Sequence, residues 1–209
     1  MTQTNIQNIT IDGLEAEMKK CFQFTGVDML QHGRMVHHWY NNLIGEFPEV
    51  TARIPDWFDF MISAHIDILH KFEQEIRTYH VYHDCGKPFC VPDGKRKYPD
   101  HARKSKEVWE NLDRMGRMDL LMIDHRKIAF WMEHDMIIHT YKPGTIESDF
   151  LESGIWKKED AVILLLTALA ECHANATMFG GFQSDSFKAK VKKVDKAGKR
   201  IKKFYYGKD

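Results

Sequence analysis

The stretch FEQEIRTYHVYHDCGKP, residues 72–88, decides the class of fold. It predicts a helix over 72–84 with a sharp stop, because Gly86 suits a left-handed C-terminal cap and Pro88 cannot continue a helix. His83 and Asp84 then fall in the last turn, just before the polar loop FCVPDGKRKYPD (89–100), whose prolines and glycine mark turns. Working outward, apolar residues recur three and four apart through most of the chain, and few stretches alternate. Leu14, Met18 and Phe22 predict a helix over 12–24 that ends near Gly26. Met29, Val36, Leu43 and Ile44 predict a second over 28–44, closed by Gly45 and Pro48, and a third is expected over 57–69. After the loop, HARKSKEVWENL (101–112) and DHRKIAFWMEHDMIIH (124–139) are helical, Pro143 and Gly144 interrupt, and a strongly apolar helix is predicted over 158–178. The expected fold is all-α.

The chain has 209 residues, 43% hydrophobic and 12% aromatic, enough for one full core; disorder and collagen-like repeats are excluded. Its four cysteines, at 21, 85, 90 and 172, are too scattered for a disulfide framework, so reduced thiols are expected. MTQTNIQNIT at the start lacks the basic and apolar parts of a secretion signal, and AVILLLTALA (161–170) is too short to span a bilayer. A soluble cytoplasmic protein without membrane contact is the expectation.

Thirty basic residues balance thirty acidic ones, yet the balance is uneven along the chain. Residues 184–209 hold ten Lys or Arg against three Asp, net +7, which leaves net −7 over residues 1–183. The expected organisation is a helical domain over 1–183 and a short basic extension over 184–209. In that extension FKAKVKKVDKAGKRIKKFYY (187–206) alternates around Asp195-Lys196-Ala197-Gly198, which suggests a β-hairpin with Gly198 at positive φ. A helix also fits, since Phe187, Val191, Val194, Ile201 and Tyr205 share a face, but Gly198 tips the expectation toward the hairpin. Clustered Lys and Arg bind phosphate backbones by releasing counterions, so this tail reads either as a nucleic-acid contact or as a solvated, partly ordered C-terminus. Phe187, Phe204, Tyr205 and Tyr206 would stack on bases.

Twelve histidines are the unusual count. At a helix end the His83-Asp84 doublet can converge on one ion while the next loop stays open to substrate, and imidazole with carboxylate suits Zn, Mn, Fe or Ni. Lys87, just past the helix, is placed to meet an anionic substrate. His80, three residues before His83 on the same face, is a candidate for orienting it. His101 opens the next helix, and His134 precedes Asp135 on an apolar face where a satisfied core histidine would be ordinary. Glu171 lies in LLLTALAECHANA, where a carboxylate is costly unless paired or bound to a metal. His125 and His139 have no assigned role, and nothing marks a nucleophilic thiol.

Together these segments resemble the HD-domain metal-dependent phosphohydrolases over about residues 28 to 178. HDCGKP looks like the family's central motif, PDHARKS and MEHDMIIHTY like its later histidine segments, and LLLTALAE like its late carboxylate helix, with Glu171 where Asp is usual. The HD domain attached to bacterial tRNA nucleotidyltransferases is the nearest likeness. The resemblance implies an HD-domain helical bundle and a ligand set of His32, His83, Asp84, His101, His134 and Glu171. For the first ligand, His32 in QHGRMV competes with His37, His38, His65 and His70; His173 is an alternative to Glu171. Six ligands exceed what one ion with an open site needs, so two divalent ions (Mn, Fe, Co, Ni, Zn or Mg) are expected, bridged by Asp84. Asp84 and Lys87 would be catalytic, and Lys87 with Arg103 would bind substrate. The implied reaction is hydrolysis of a phosphoester or phosphoanhydride on a nucleotide, another phosphate-bearing small molecule or a nucleic-acid end. HD-type diiron oxygenases share the ligand set, and a degenerate non-catalytic binding module is the third alternative.

Overall fold

A computed structural model of the chain describes residues 6–45, 54–95, 97–116, 123–140, 142 and 144–207. Pro48 and Pro143, two of the expected helix breakers, lie outside the described residues. The all-α expectation holds: 71% of the described residues are helical, and the strands among them form one two-stranded ribbon. No helix among the described residues is long and apolar enough to cross a membrane. The chain divides into two compact units, Met1–Met35 with Gln74–His134 and Val36–Glu73 with Asp135–Asp209.

In the first unit, α1 (Ile11–Lys20) starts at Thr10, whose hydroxyl accepts from the Gly13 N–H at 3.2 Å, and buries Leu14 and Met18. The helix ends before the expected Phe24. Phe22–Phe24 (β1) turns through Gly26 at φ +82° to pair antiparallel with Val27–Asp28 (β2). The Phe22 carbonyl is held by Tyr98 Oη at 3.0 Å and Lys97 Nζ at 3.3 Å, contacts from 75 residues away that helical period cannot reveal. Asp28 and Gln31 then form a reciprocal capping box, Gln31 N to Asp28 Oδ1 at 2.8 Å and Asp28 N to Gln31 Oε1 at 3.1 Å. This box opens α2 (Met29–Ile44) close to its expected start.

Two further helices, α5 (Glu73–Tyr82) and α6 (His101–Arg114), flank the His83-Asp84 turn. Gly86 is not the left-handed cap expected; its φ is −80°. The glycine is needed for proximity, because a Cβ there would lie 2.3 Å from the Ser105 amide nitrogen and 2.7 Å from the His101 carbonyl oxygen of α6. Its own N–H donates to Ser105 Oγ at 2.9 Å. Helix α7 (His125–Thr140) contributes its residues up to His134 to this unit.

In the second unit the helix expected over 57–69 is two, α3 (Phe58–Ser63) and α4 (Ile66–Lys71). The break falls at His65, at φ −134°, whose Nδ1–H donates to the Met61 carbonyl at 2.8 Å and whose Nε2 lies 2.6 Å from Tyr206 Oη. Neither glycine nor proline marks it. Helix α8 (Lys158–Ala174) is buried at every position from Asp160 to Ala174, so it has no solvent face and shows no amphipathic stripe.

Residues 185–206 form a single helix, α9 (Asp185–Tyr206), not a hairpin. Ser184 caps it by accepting from the Phe187 N–H at 3.1 Å, and Phe187, Val191, Val194, Ala197 and Ile201 are buried. Gly198 serves a close approach instead of a turn: a Cβ would lie 2.2 to 2.6 Å from three atoms of the buried Trp57 indole. Alanine at 198 would gain about 1 kcal/mol of helix propensity but overpack Trp57 by roughly 1–3 kcal/mol. The expected net effect is a Tm lower by roughly 2–6 °C, measured by thermal melting of Gly198→Ala. A Tm that rises would mean Trp57 has room to move.

Candidate metal centre

His32 reaches its position because α2 starts at the Asp28–Gln31 box and because Gly33 follows it. A Cβ on Gly33 would lie 2.2 Å from the Val81 carbonyl oxygen and 2.7 Å from that of His80, so α2 lies directly on the α5 backbone. The His32 and His83 rings meet edge to face, centroids 5.3 Å apart, and ligand nitrogens of the two come within 4.8 Å of one another. Asp84 lies between them and the start of α6. Its Oδ2 is 3.2 Å from His83 Nε2, 3.6 Å from His32 Nε2 and 2.6 Å from Lys87 Nζ, while its Oδ1 is 3.6 Å from His101 Nε2. Lys87 Nζ also donates to Gln23 Oε1 at 2.9 Å.

Two ring orientations are fixed from behind. The Nδ1–H of His83 donates to the His80 carbonyl at 2.8 Å, and that of His101 donates to the Tyr98 carbonyl at 3.1 Å. With the proton on Nδ1, each Nε2 carries its lone pair toward Asp84, the tautomer a metal ligand needs. The atom of His80 that orients His83 is its backbone carbonyl, which a residue of any type would supply. Asp100, at φ 54° in the left-handed region that Asp tolerates, turns the chain so that His101 is the first residue of α6.

His32, His83, Asp84 and Lys87 are all buried. Burial alone would raise the Asp84 carboxyl, but the Lys87 ammonium against it holds it well below the usual carboxylate range. Burying two charges is expensive, and the pair offsets that only with good geometry. Nitrogens 3.6 Å from a carboxylate are too distant for hydrogen bonds. Three imidazole nitrogens around one buried carboxylate are instead a donor set suited to a divalent cation, and the described residues therefore include a buried histidine and carboxylate cluster able to hold a metal.

Beside Lys87 is a cavity of about 300 Å³, lined among others by Lys20, Cys21, Phe22, Lys97 and Tyr98. Lys97 Nζ stands 4.8 Å over the Tyr98 ring, and Lys20 is paired with Glu17 at 2.8 Å in the same wall. Burial pushes the thiols of Cys21, Cys85 and Cys90 up, away from the reactive thiolate, and Cys85 is fully enclosed.

The remaining nominated residues lie as follows. His134 is half-buried on α7, with its Nδ1–H donating to the Phe130 carbonyl at 2.8 Å and its ring packed on Phe130 at 4.2 Å. Arg103 is exposed and pairs with Glu107 one turn along α6. In the second unit, Glu171 pairs with His139. Burial works against the His139 proton, but Glu171 against it raises its affinity well above the ordinary range. The costly carboxylate of α8 is thus paired, by a histidine that no local pattern singles out. His173, two residues on and therefore about 200° around the helix, donates from Nδ1 to Leu169 at 2.7 Å. Its ring packs among Trp39, Phe182 and Phe187, at 5.3, 6.0 and 5.4 Å.

Sequence patterns therefore nominated His32, His83, Asp84, Lys87 and His101, which the fold brings together. They missed Gly33, Gln23 and Ser105, which position that group, because each acts across elements far apart in the chain. No family model, curated protein or solved structure matches the chain.

Proposed function

We propose that the chain is a divalent-metal-dependent phosphohydrolase of the HD type, acting on a phosphoester or phosphoanhydride of a nucleotide or nucleic-acid end. The observation that carries the proposal is the buried Asp84 carboxylate surrounded by His32, His83, His101 and Lys87. These donors fit a divalent ion. Bound ions would polarise the phosphoryl oxygens and lower the pKa of an attacking water.

The chain's own residues have separate tasks. The His80 and Tyr98 carbonyls fix the ligand tautomers of His83 and His101. Lys87, held by Asp84 and Gln23, offers its ammonium to the negative charge that builds on the transferred phosphoryl group. Lys20 in the adjoining cavity is paired with Glu17 at 2.8 Å, so Lys97 is the cation there that would attract an anion. The four free thiols suit a reducing compartment such as the cytoplasm.

The test is phosphate release by the purified protein with Mn, Co, Ni, Mg or Zn against nucleoside mono- and triphosphates, cyclic phosphates and short RNAs of defined ends. Activity with at least one metal, lost on chelation and restored by adding that metal back, is the expected result. Lys87→Gln should raise KM and lower kcat/KM by roughly 10²- to 10³-fold, the loss of one charge-stabilising donor. Oxygen consumption by an iron-loaded protein without phosphate release would replace this function with an oxygenase, and metal binding without turnover would leave a binding module.

A further inference from the structure

Helix α9 carries nine lysines and arginines against two aspartates. Lys192, Lys196, Lys199 and Lys203 recur at intervals of four, three and four, so they form one exposed row, flanked by the exposed Lys193 and Arg200. The row is about 16 Å long, with successive members about 4.5 to 6 Å apart along the axis. Local acids neutralise only part of it: Lys199 bonds Asp195 at 2.9 Å, and Arg200 pairs with Glu147. The ammonium groups of Lys192, Lys193, Lys196 and Lys203 have no hydrogen-bond or ion-pair partner among the described residues. Like charges one turn apart work against the helix that carries them, so stability does not account for the row.

The row's surroundings select the partner. Membrane-surface helices sink exposed apolar side chains beside their lysines, but the apolar face of α9 is buried and Phe204 is its one exposed large hydrophobic residue. A duplex major groove accommodates a helix that is free around most of its circumference, whereas α9 packs against α8. Nor is this a base-stacking platform: Phe187 is buried, Tyr205 Oη donates to the Trp156 carbonyl at 3.1 Å, and Tyr206 is held by His65. Asp56 and Asp195 share a shallow groove with Lys188, Lys192 and Lys199, which leaves the Lys193 and Arg200 side as the more positive flank.

We infer that the exposed row of α9 is a docking ridge for single-stranded nucleic acid, gripped through its phosphates and indifferent to sequence. A flexible strand can follow a straight row of cations, and the spacing of the lysines is comparable to that of phosphates on an extended strand. The inference is independent of the chemistry at Asp84.

Fluorescence anisotropy of the full chain with labelled 20-nucleotide oligo-U and oligo-dA tests it across a salt series. Four lysine contacts predict a slope of log K against log salt near −3, with affinities for the two oligomers within about threefold. The triple substitution Lys192→Gln, Lys196→Gln and Lys203→Gln should weaken binding at least tenfold and flatten the slope by about 2, with the far-UV spectrum unchanged. The same three positions changed to Arg should keep binding. Unchanged affinity in the Gln variant, or absence of binding by the parent, overturns the inference. So does binding of a 20-bp duplex or of phosphatidylserine vesicles at least as tight as that of the single strand.

Discussion

Asp84→Asn is expected to lose metal-dependent phosphate release by roughly a thousandfold or more, the rate equivalent of several kcal/mol of charge stabilisation in the transition state. Asparagine matches the shape of aspartate, so the loss comes from charge. The same substitution leaves the buried Lys87 ammonium with Gln23 but without its counter-ion. Removing one partner of a buried pair costs roughly 3–5 kcal/mol, which urea unfolding would register as a lower midpoint at unchanged slope. Adding Lys87→Met should recover most of that stability and none of the activity. If the double variant is no more stable than the single one, the buried-charge account of this centre is wrong.

The second large effect is expected at a residue without a side chain. Gly33→Ala places a methyl group within 2.2 Å of the Val81 carbonyl and 2.7 Å of the His80 carbonyl, both backbone atoms that cannot swing aside. Helix α2 must then move off α5. Overpacking of this kind costs roughly 1–3 kcal/mol and occasionally more, against about 1 kcal/mol gained from helix propensity. The larger consequence is geometric, since His32 precedes Gly33 and the His80 carbonyl is the one that holds His83 Nδ1. The displacement separates the two rings that now meet at 5.3 Å. Metal affinity, measured by calorimetry with Mn, should fall at least tenfold, the usual scale when ligand support is disturbed. Gly33→Ser should behave similarly. Tight binding retained in both variants would mean that the α2–α5 contact does not position the centre.

The parts of this molecule that were legible in the sequence are those set by neighbours along the chain. The helix period and the His83-Asp84 doublet at a helix end both depend on residues within about four positions. Two glycines that matter for packing were misread, and a third, Gly33, drew no reading. Gly86 resembled a C-terminal cap and Gly198 a hairpin turn, yet both admit a neighbouring element: the α6 backbone in one case, the Trp57 indole in the other. No local rule separates a glycine kept for its dihedral freedom from one kept for its missing Cβ. The break at His65 and the pairing of His139 with Glu171 were hidden for the same reason, because their partners lie 141 and 32 residues away.

Helix α8, enclosed at every position from Asp160 to Ala174, has a consequence for chain truncation. A chain ending before Ser184 would lack α9 and leave bare the part of α8 that α9 packs against, His173 beneath Phe187 included. The run AVILLLTALA would then behave as a sticky segment, prone to self-association. The cationic C-terminal helix is therefore also the element that keeps the most apolar segment of the protein out of water.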